Sequence, residues 1–235
     1  MNAQHPPLTT PEQERLVRQS ARALARAGLV TAFGHCSLRL SEDHMLVCAP
    51  KPMGHLQPHH KGDVVHIHHP LPSHVLGEVR MHQAIYKNRP DAKGICRVFP
   101  PHVLSLAAMG LSPKARHGFG SYFYPEVPMW RDPALIRNED SALGVAQTLG
   151  QANAVVVSVN GAVTVADSLE KATVLAWFLE DAARVEMACL ASGRENAVTF
   201  NSTEQAQNRA TWLGGIAERK WQFLTHGDIE TLFEP

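Results

Sequence analysis

Histidine is the side chain with the most chemistry to offer in this sequence. Fourteen occur among 235 residues, and His55, His59, His60, His66, His68, His69 and His74 fall in one stretch. In His66-Ile67-His68-His69, alternate residues of a strand face the same side, so His66 and His68 could converge on a metal ion. The plainer alternative is a histidine-rich surface hairpin that binds nothing. Further along, His74, Glu78 and His82 are four residues apart, the spacing that shares one helical face. Glu78 and His82 would form a second metal set if the fold brought His102 or His35 to them. Cys36, Cys48, Cys96 and Cys189 show no CxxC spacing, a pattern that fits buried free thiols in a reducing cytoplasm rather than disulfides or a zinc knuckle.

Periodicity indicates the elements that must hold these groups. Thr10-Pro11-Glu12-Gln13 has the spacing of a capping box with proline at the first helical position. Leu16, Val17, Ala21, Leu24 and Ala25 then recur at helical intervals up to Gly28. Residues 36–40 and 45–49 read as an antiparallel hairpin, with a third strand at 64–67. A helix is expected over 76–88, closed by Arg89-Pro90, then a buried strand over 94–99 and a short helix over 102–109. Residues 111–129, rich in Pro, Gly and aromatics, read as a long loop with short strands. A helix over 134–149 precedes two β-branched runs, 154–158 and 162–165, around the tight turn Val159-Asn160-Gly161. Long helices over 168–192 and 205–225 complete the chain. No linker divides it, so residues 11–235 read as one α/β domain after a flexible N-terminus at 1–10.

Composition excludes several classes of function. Lys plus Arg equals Asp plus Glu, at 22 each, with no basic block to attract nucleic acid or an anionic membrane. No run of 18 apolar residues provides a membrane span, and the polar N-terminus lacks the core of a secretory signal. A cytoplasmic protein is expected.

Several segments occur in the order found in the class II aldolase/adducin family. They are Gly28-Leu29-Val30-Thr31, Gly34-His35-Cys36-Ser37-Leu38-Arg39, Gly77-Glu78 with Met81-His82 and Ala84-Ile85-Tyr86, Arg89-Pro90-Asp91, a strand ending in Pro100-Pro101, Val155-Val156-Val157 with Gly161-Ala162-Val163, and Ser168-Leu169-Glu170-Lys171-Ala172. Over residues 12–195 the chain resembles that family. The Gly-His-x-Ser-x-Arg variant resembles its aromatic carboxylate decarboxylases more than its sugar-phosphate aldolases, and the segment from Arg137 to Leu143-Gly144 also suits that branch.

The resemblance implies a three-layer α/β/α fold around a mostly antiparallel central sheet, and a homotetramer with active sites near subunit interfaces. It also implies a divalent metal on three histidines and a glutamate, at Glu78, that acts as general acid/base or as a further ligand. Here the three histidine positions are occupied by Arg97, Phe99 and Asn160. A guanidinium has no free lone pair, a phenyl ring has no donor atom, and an amide is a poor zinc ligand. No metal or other cofactor is therefore expected.

Arg97, projecting into the former metal cavity, would bind a carboxylate or steady an oxyanion in the metal's place. Glu78 would supply or remove a proton. His35, Lys51, His102 and Asn160 are taken as substrate-binding: His35 and Lys51 would hold an anionic group, and His102 would shuttle a proton near neutral pH. The expected function is a metal-independent lyase, a decarboxylase or retro-aldol type, on a small anionic and potentially aromatic carboxylate. Two alternatives stay open. Arg97 and Phe99 could plug the cavity around Glu78 in a non-catalytic binding or partner subunit. Alternatively, the loop Phe119-Gly120-Ser121-Tyr122-Phe123-Tyr124 could reshape the pocket for a cyclisation or isomerisation.

Overall fold

The computed structural model describes residues 7–196 and 199–231. Residues 1–6 of the expected N-terminal tail lie outside the described residues, while Thr9 and Thr10 hydrogen-bond to Glu14 and Gln13 at the start of the first helix. The strands are β1 (His35–Arg39), β2 (His44–Val47), β3 (Asp63–His66), β4 (Gly94–Val98), β5 (Met129–Trp130), β6 (Ala154–Val157) and β7 (Ala162–Ala166). They form one seven-stranded sheet in the order β3-β2-β1-β4-β7-β6-β5. Every pairing is antiparallel except β5 with β6.

Helices cover both faces, as the three-layer expectation requires. On one side lie α1 (Pro11–Arg26), α3 (Pro101–Ala108), α5 (Leu169–Ala191) and α7 (Ile216–Thr225). Val17, Leu24, Val103, Leu106, Phe178 and Leu224 of these helices pack with Cys36, Cys96, Val98 and Val156 of the sheet. On the other side α2 (Arg80–Asn88) and α4 (Glu139–Leu149) bring Met81, Ile85, Val145 and Leu149 against Met45, Ile95, Val155 and Val163. With apolar layers on both faces, β4 and β6 are buried along their whole length; β6 is apolar throughout, whereas β4 carries the buried Arg97.

Local signals are met at several ends. Thr10 and Gln13 make the reciprocal capping box of α1, and Ser168 caps α5 by accepting from the Lys171 amide. Gly94 is required because a Cβ there would meet the Leu169 backbone at 2.3 Å, where α5 crosses the sheet.

Three local expectations are corrected. The helix expected from residue 76 opens as a 3-10 turn, Gly77–Val79, so Glu78 precedes α2 and does not share an α-helical face with His82. The helix expected from 134 starts at Glu139, because the Asn138 side chain accepts the Ser141 amide and sets the boundary there. The helix expected over 205–225 is two, α6 (Thr203–Arg209) and α7, separated by Gly214 and Gly215 at φ of 76° and 72°. The expected Val159-Asn160-Gly161 turn forms, with Val159 (φ 51°) and Gly161 (φ 83°) in the left-handed region.

The C-terminal segment closes over α1 through a buried ionic clasp. Arg22 holds Asp228 through Nε and Nη2, each at 2.7 Å, and Arg18 holds Glu230 at 3.0 and 2.7 Å. Trp212 packs beside Tyr122 and Phe178, whereas Phe223 is largely exposed under Lys220.

Among the described residues no helix is long and apolar enough to cross a membrane. All four cysteines are free, with Cys36, Cys48 and Cys96 buried.

Candidate active site

Register explains how the central groups meet. β1 and β4 pair with His35 opposite Arg97 and Ser37 opposite Ile95. Since alternate residues of a strand share a face, His35, Ser37, Ile95 and Arg97 all point toward α2. Where these strands end, a cleft of about 800 Å³ opens, lined by His35, Lys51, Glu78, Phe99, Arg137 and Asn160 among others. Glu78 is the one carboxylate among its described lining residues, against the cations Lys51, Arg80 and Arg137. The rim carries exposed apolar side chains: Phe33, Leu76 and Leu135.

Arg97 lies beneath this floor and has no exposed surface. Its guanidinium stacks on the Phe99 ring at 4.3 Å, and Nη1 donates to the carbonyls of Val98 at 3.0 Å and Ala162 at 3.4 Å. Nε faces Glu78 Oε2 at 3.5 Å, an ion pair without a formed hydrogen bond, and Nη2 has no partner. Gly161 makes room for this arrangement: a Cβ there would meet Val98 O at 2.2 Å and Arg97 Nη1 at 2.9 Å. Burial pushes the Arg97 pKa down to about 10 against the opposing pull of Glu78, so the side chain stays cationic at neutral pH. The Asn160 side-chain nitrogen is likewise buried without a partner.

Behind His35 runs a chain of buried polar groups. His35 Nδ1 is 2.9 Å from His82 Nε2, and His82 Nδ1 is 2.7 Å from Ser37 Oγ. Ser37 Oγ is in turn 3.0 Å from Tyr86 Oη. Burial, then the neighbouring Arg97 charge, lowers the His82 pKa to about 3. Burial first, then His82 and Arg97, holds His35 well below the ordinary histidine value. Both rings are neutral at physiological pH. His35 Nε2 is buried without a partner.

Of the residues singled out in the sequence, Glu78, His35, Lys51 and Asn160 share one cleft. Arg97 belongs to the same site but sits under the floor, so the expected projection into the cavity is replaced by contact with Glu78. His102 is elsewhere: its Nδ1 pairs with Glu180 of α5 at 2.7 Å, and it does not line the cleft. Arg80, Arg137 and the apolar rim were not among the expected site residues. Arg137 stood out only within the family-like segment, and its place at the cleft depends on a loop with no periodic signal.

The histidine-rich stretch gathers no metal set. His66 stacks on His69 with centroids 3.5 Å apart and meets His44 and His68 edge-on, while His74 faces Asp63 across 3.9 Å. Among the described residues no group of three or more His, Cys, Asp or Glu side chains is placed to hold a metal.

The divalent ion implied by the family resemblance does not fit the cleft. The donors facing that volume are one carboxylate, one amide and one neutral histidine, and a fixed guanidinium stands 3.5 Å from the carboxylate.

Comparison with known proteins adds three findings. A profile of the Class II Aldolase and Adducin N-terminal domain matches residues 15–187. The 3,4-dihydroxyphthalate decarboxylase of Terrabacter sp. (strain DBF63) is 25% identical over 203 residues, covering 79% of this chain and 84% of that protein, and the enzyme of the same name from Arthrobacter keyseri is 24% identical over 208 residues, covering 80% and 82%. In structure, the chain superposes on the L-fuculose 1-phosphate aldolase of Glaciozyma antarctica PI12 with a TM-score of 0.73 and 20% identity, covering 95% of this chain and 94% of that one.

Proposed function

The chain belongs to the class II aldolase and adducin family, and on that premise we propose that it is a carbon–carbon lyase, a decarboxylase of a small anionic aromatic carboxylate, that works without the family's divalent ion. The observation that carries this reading is the pairing of Glu78, open to the cleft, with an incompletely paired cation 3.5 Å behind it. The names of the two decarboxylase relatives support the substrate class. So does the cleft itself, cationic at Lys51, Arg80 and Arg137 and apolar at Phe33, Phe99 and Leu135.

In this reading the rim cations and the Asn160 amide hold the carboxylate and the apolar wall holds the ring. As the C–C bond breaks, the electron pair stays on the ring carbon and carbon dioxide leaves. The fixed charge of Arg97, acting from a site with little water, stabilises the negative charge that develops. Glu78 relays a proton from solvent to that carbon, so each turnover consumes one proton. Arg97 touches Glu78 rather than substrate, and its role is electrostatic and positional. The family's tetramers also give the exposed rim of Phe33, Leu76 and Leu135 a role, as the surface on which a second copy would close the cleft.

The non-catalytic alternative draws on the Arg97–Phe99 stack, which fills part of the cavity. Turnover of 3,4-dihydroxyphthalate by the purified protein, followed as carbon dioxide release, separates the two. Turnover that survives chelation and is lost in Glu78→Gln supports the lyase. No release by the wild type, or a tenfold or greater gain on adding zinc or manganese, would overturn the metal-free reading.

A further inference from the structure

The buried chain from Tyr86 to His35 has a direction, and the direction can be worked out from donor counting. Tyr86 Oη has one proton and three oxygen neighbours: the Ser37 carbonyl at 3.1 Å, the Lys93 carbonyl at 3.4 Å, and Ser37 Oγ at 3.0 Å. The carbonyls can only accept. If the phenol proton turned to Ser37 Oγ, two carbonyl oxygens would face the bare phenol oxygen in a buried site, which is unfavourable. The proton therefore goes to a carbonyl, and burial, which raises the Tyr86 pKa, keeps the phenol protonated.

Each following link is then forced. Ser37 Oγ–H donates to Tyr86 Oη, so Ser37 Oγ accepts from His82 Nδ1–H at 2.7 Å. His82 Nε2 is left as an acceptor, and it takes the proton of His35 Nδ1 at 2.9 Å. A neutral imidazole has one N–H. His35 spends it inward, and Nε2, the buried atom without a partner on a residue that lines the cleft, carries a lone pair.

We propose that Tyr86, Ser37 and His82 act as a one-way positioning chain that fixes His35 as a hydrogen-bond acceptor at the cleft floor, so that the preferred substrate carries a hydroxyl group as well as its carboxylate. This rests on the reading of the cleft as the substrate site, and it changes the role expected of His35. A neutral ring with an unmet lone pair disfavours a carboxylate and selects a donor. The neighbouring Asn160 amide and the rim cations remain for the anion. A site built around a buried acceptor discriminates against the analogue lacking the hydroxyl, because the acceptor is then left unmet.

The test uses the full-length protein labelled with nitrogen-15 at histidine. Long-range proton–nitrogen NMR spectra at pH 7 should show His35 and His82 both protonated at Nδ1 and bare at Nε2. A His35 ring protonated at Nε2 overturns the proposal. Tyr86→Phe removes the hydroxyl that holds the Ser37 proton away from His82. It should reverse the chain and move the His35 proton to Nε2, a change that a merely structural role for Tyr86 would not produce. Ser37→Ala, which breaks the chain between Tyr86 and His82, should leave His35 a mixture of tautomers.

Binding supplies the second readout. 3,4-Dihydroxyphthalate should bind the wild type at least about tenfold more tightly than phthalate, with the ratio falling toward unity in Tyr86→Phe. Equal binding of the two acids overturns the hydroxyl contact. Absence of binding by both, with the tautomer as expected, would instead sink the substrate class proposed above and the hydroxyl contact with it, leaving the acceptor assignment standing.

Discussion

Two groups of buried arginines in this fold are treated in opposite ways. In the clasp between α1 and the C-terminal segment every guanidinium nitrogen of Arg22 has a partner: Asp228 through Nε and Nη2, Glu230 through Nη2, and the Leu56 carbonyl through Nη1. Arg18 is equally complete, with Glu230 on two nitrogens and the His60 carbonyl on the third. Arg97, more deeply buried than either, has two carbonyls on one nitrogen and no hydrogen bond on the other two. A buried donor left without a partner costs about 1–3 kcal/mol. The clasp therefore reads as architecture, and the floor of the cleft as a place where stability is given up for something a ligand or a reaction can use.

The largest expected effect breaks this comparison if it is absent. Glu78→Gln keeps the shape of the floor but removes the proton carrier, and turnover should fall by about 10²–10⁴-fold, the usual contribution of a positioned acid or base. The thermal midpoint should barely move, because the Glu78 side chain is 22% exposed and its partner contact is long. Unchanged turnover would remove Glu78 from the mechanism and make the floor as structural as the clasp.

The next pair of variants compares the two arginines directly. Arg22→Ala leaves the buried carboxylates of Asp228 and Glu230 with Arg26 and Arg18 alone, so chemical denaturation should show a loss of about 3 kcal/mol, the low end for breaking a buried pair. Arg97→Met replaces a poorly satisfied cation with a side chain of similar length, and Glu78 can still be hydrated from the cleft. Its stability should lie within about 1 kcal/mol of the wild type or above it, since replacing a buried charge by an apolar isostere is often neutral or stabilising. Activity should nevertheless collapse. A loss of stability in Arg97→Met as large as in Arg22→Ala would show that the Glu78 pair is structural after all.

The contrast between these sites also shows what was legible in the sequence. The three-layer fold was readable because its signals are local or periodic: the capping box at Thr10, the β-branched run of β6, the Ser168 cap of α5. The family resemblance implied metal ligands where this chain has Arg97, Phe99 and Asn160, and those residue types could be read directly. What could not be read was depth. Whether Arg97 enters the cavity or lies under it depends on the approach of Gly161 to Val98, a tertiary contact between strands far apart in sequence. The clasp was invisible for the same reason, since Arg22 and Asp228 are 206 residues apart. His102 was misplaced because a short helix after β4 could turn to either side of the sheet, and Glu180 on α5 holds it away from the cleft.

Acid should separate the two regions along the pH axis. His82 has a folded pKa of about 3 against an ordinary 6.5, and His35 is depressed in the same direction. A depressed pKa means that protonation favours the unfolded chain, so this contribution is complete above about pH 6.5 and declines as pH falls below it. From His82 alone the loss at pH 5 is about 2 kcal/mol. In the clasp, burial pushes Asp228 and Glu230 upward, but hydrogen bonds from Arg22 and Arg18 outweigh it and hold both below their ordinary 3.8 and 4.5. Their contribution is present above those values and is lost only at lower pH. Denaturation midpoints measured from pH 7 to pH 3 should therefore fall in two stages, the first flattened in His82→Asn and the second in Arg22→Ala. A profile flat down to about pH 4.5 would contradict the neutral histidine pair.

The smallest effect concerns the rim. Lys51 is exposed, and its attraction for an anionic substrate acts through water, where a charge pair at contact is worth about 1 kcal/mol and salt screens it over about 8 Å at physiological strength. Lys51→Ala should raise KM by only a few fold, leave kcat unchanged, and lose most of its effect in high salt. Arg97 lies in a site that ions do not enter, so the kcat defect of Arg97→Met should be the same at low and high salt. In the proposed mechanism the two cations act on one anion from different depths, and salt is the variable that distinguishes them. If the kcat defect of Arg97→Met faded with added salt as the Lys51→Ala effect does, the guanidinium would be acting through solvent, and its proposed role beneath Glu78 would have to be abandoned.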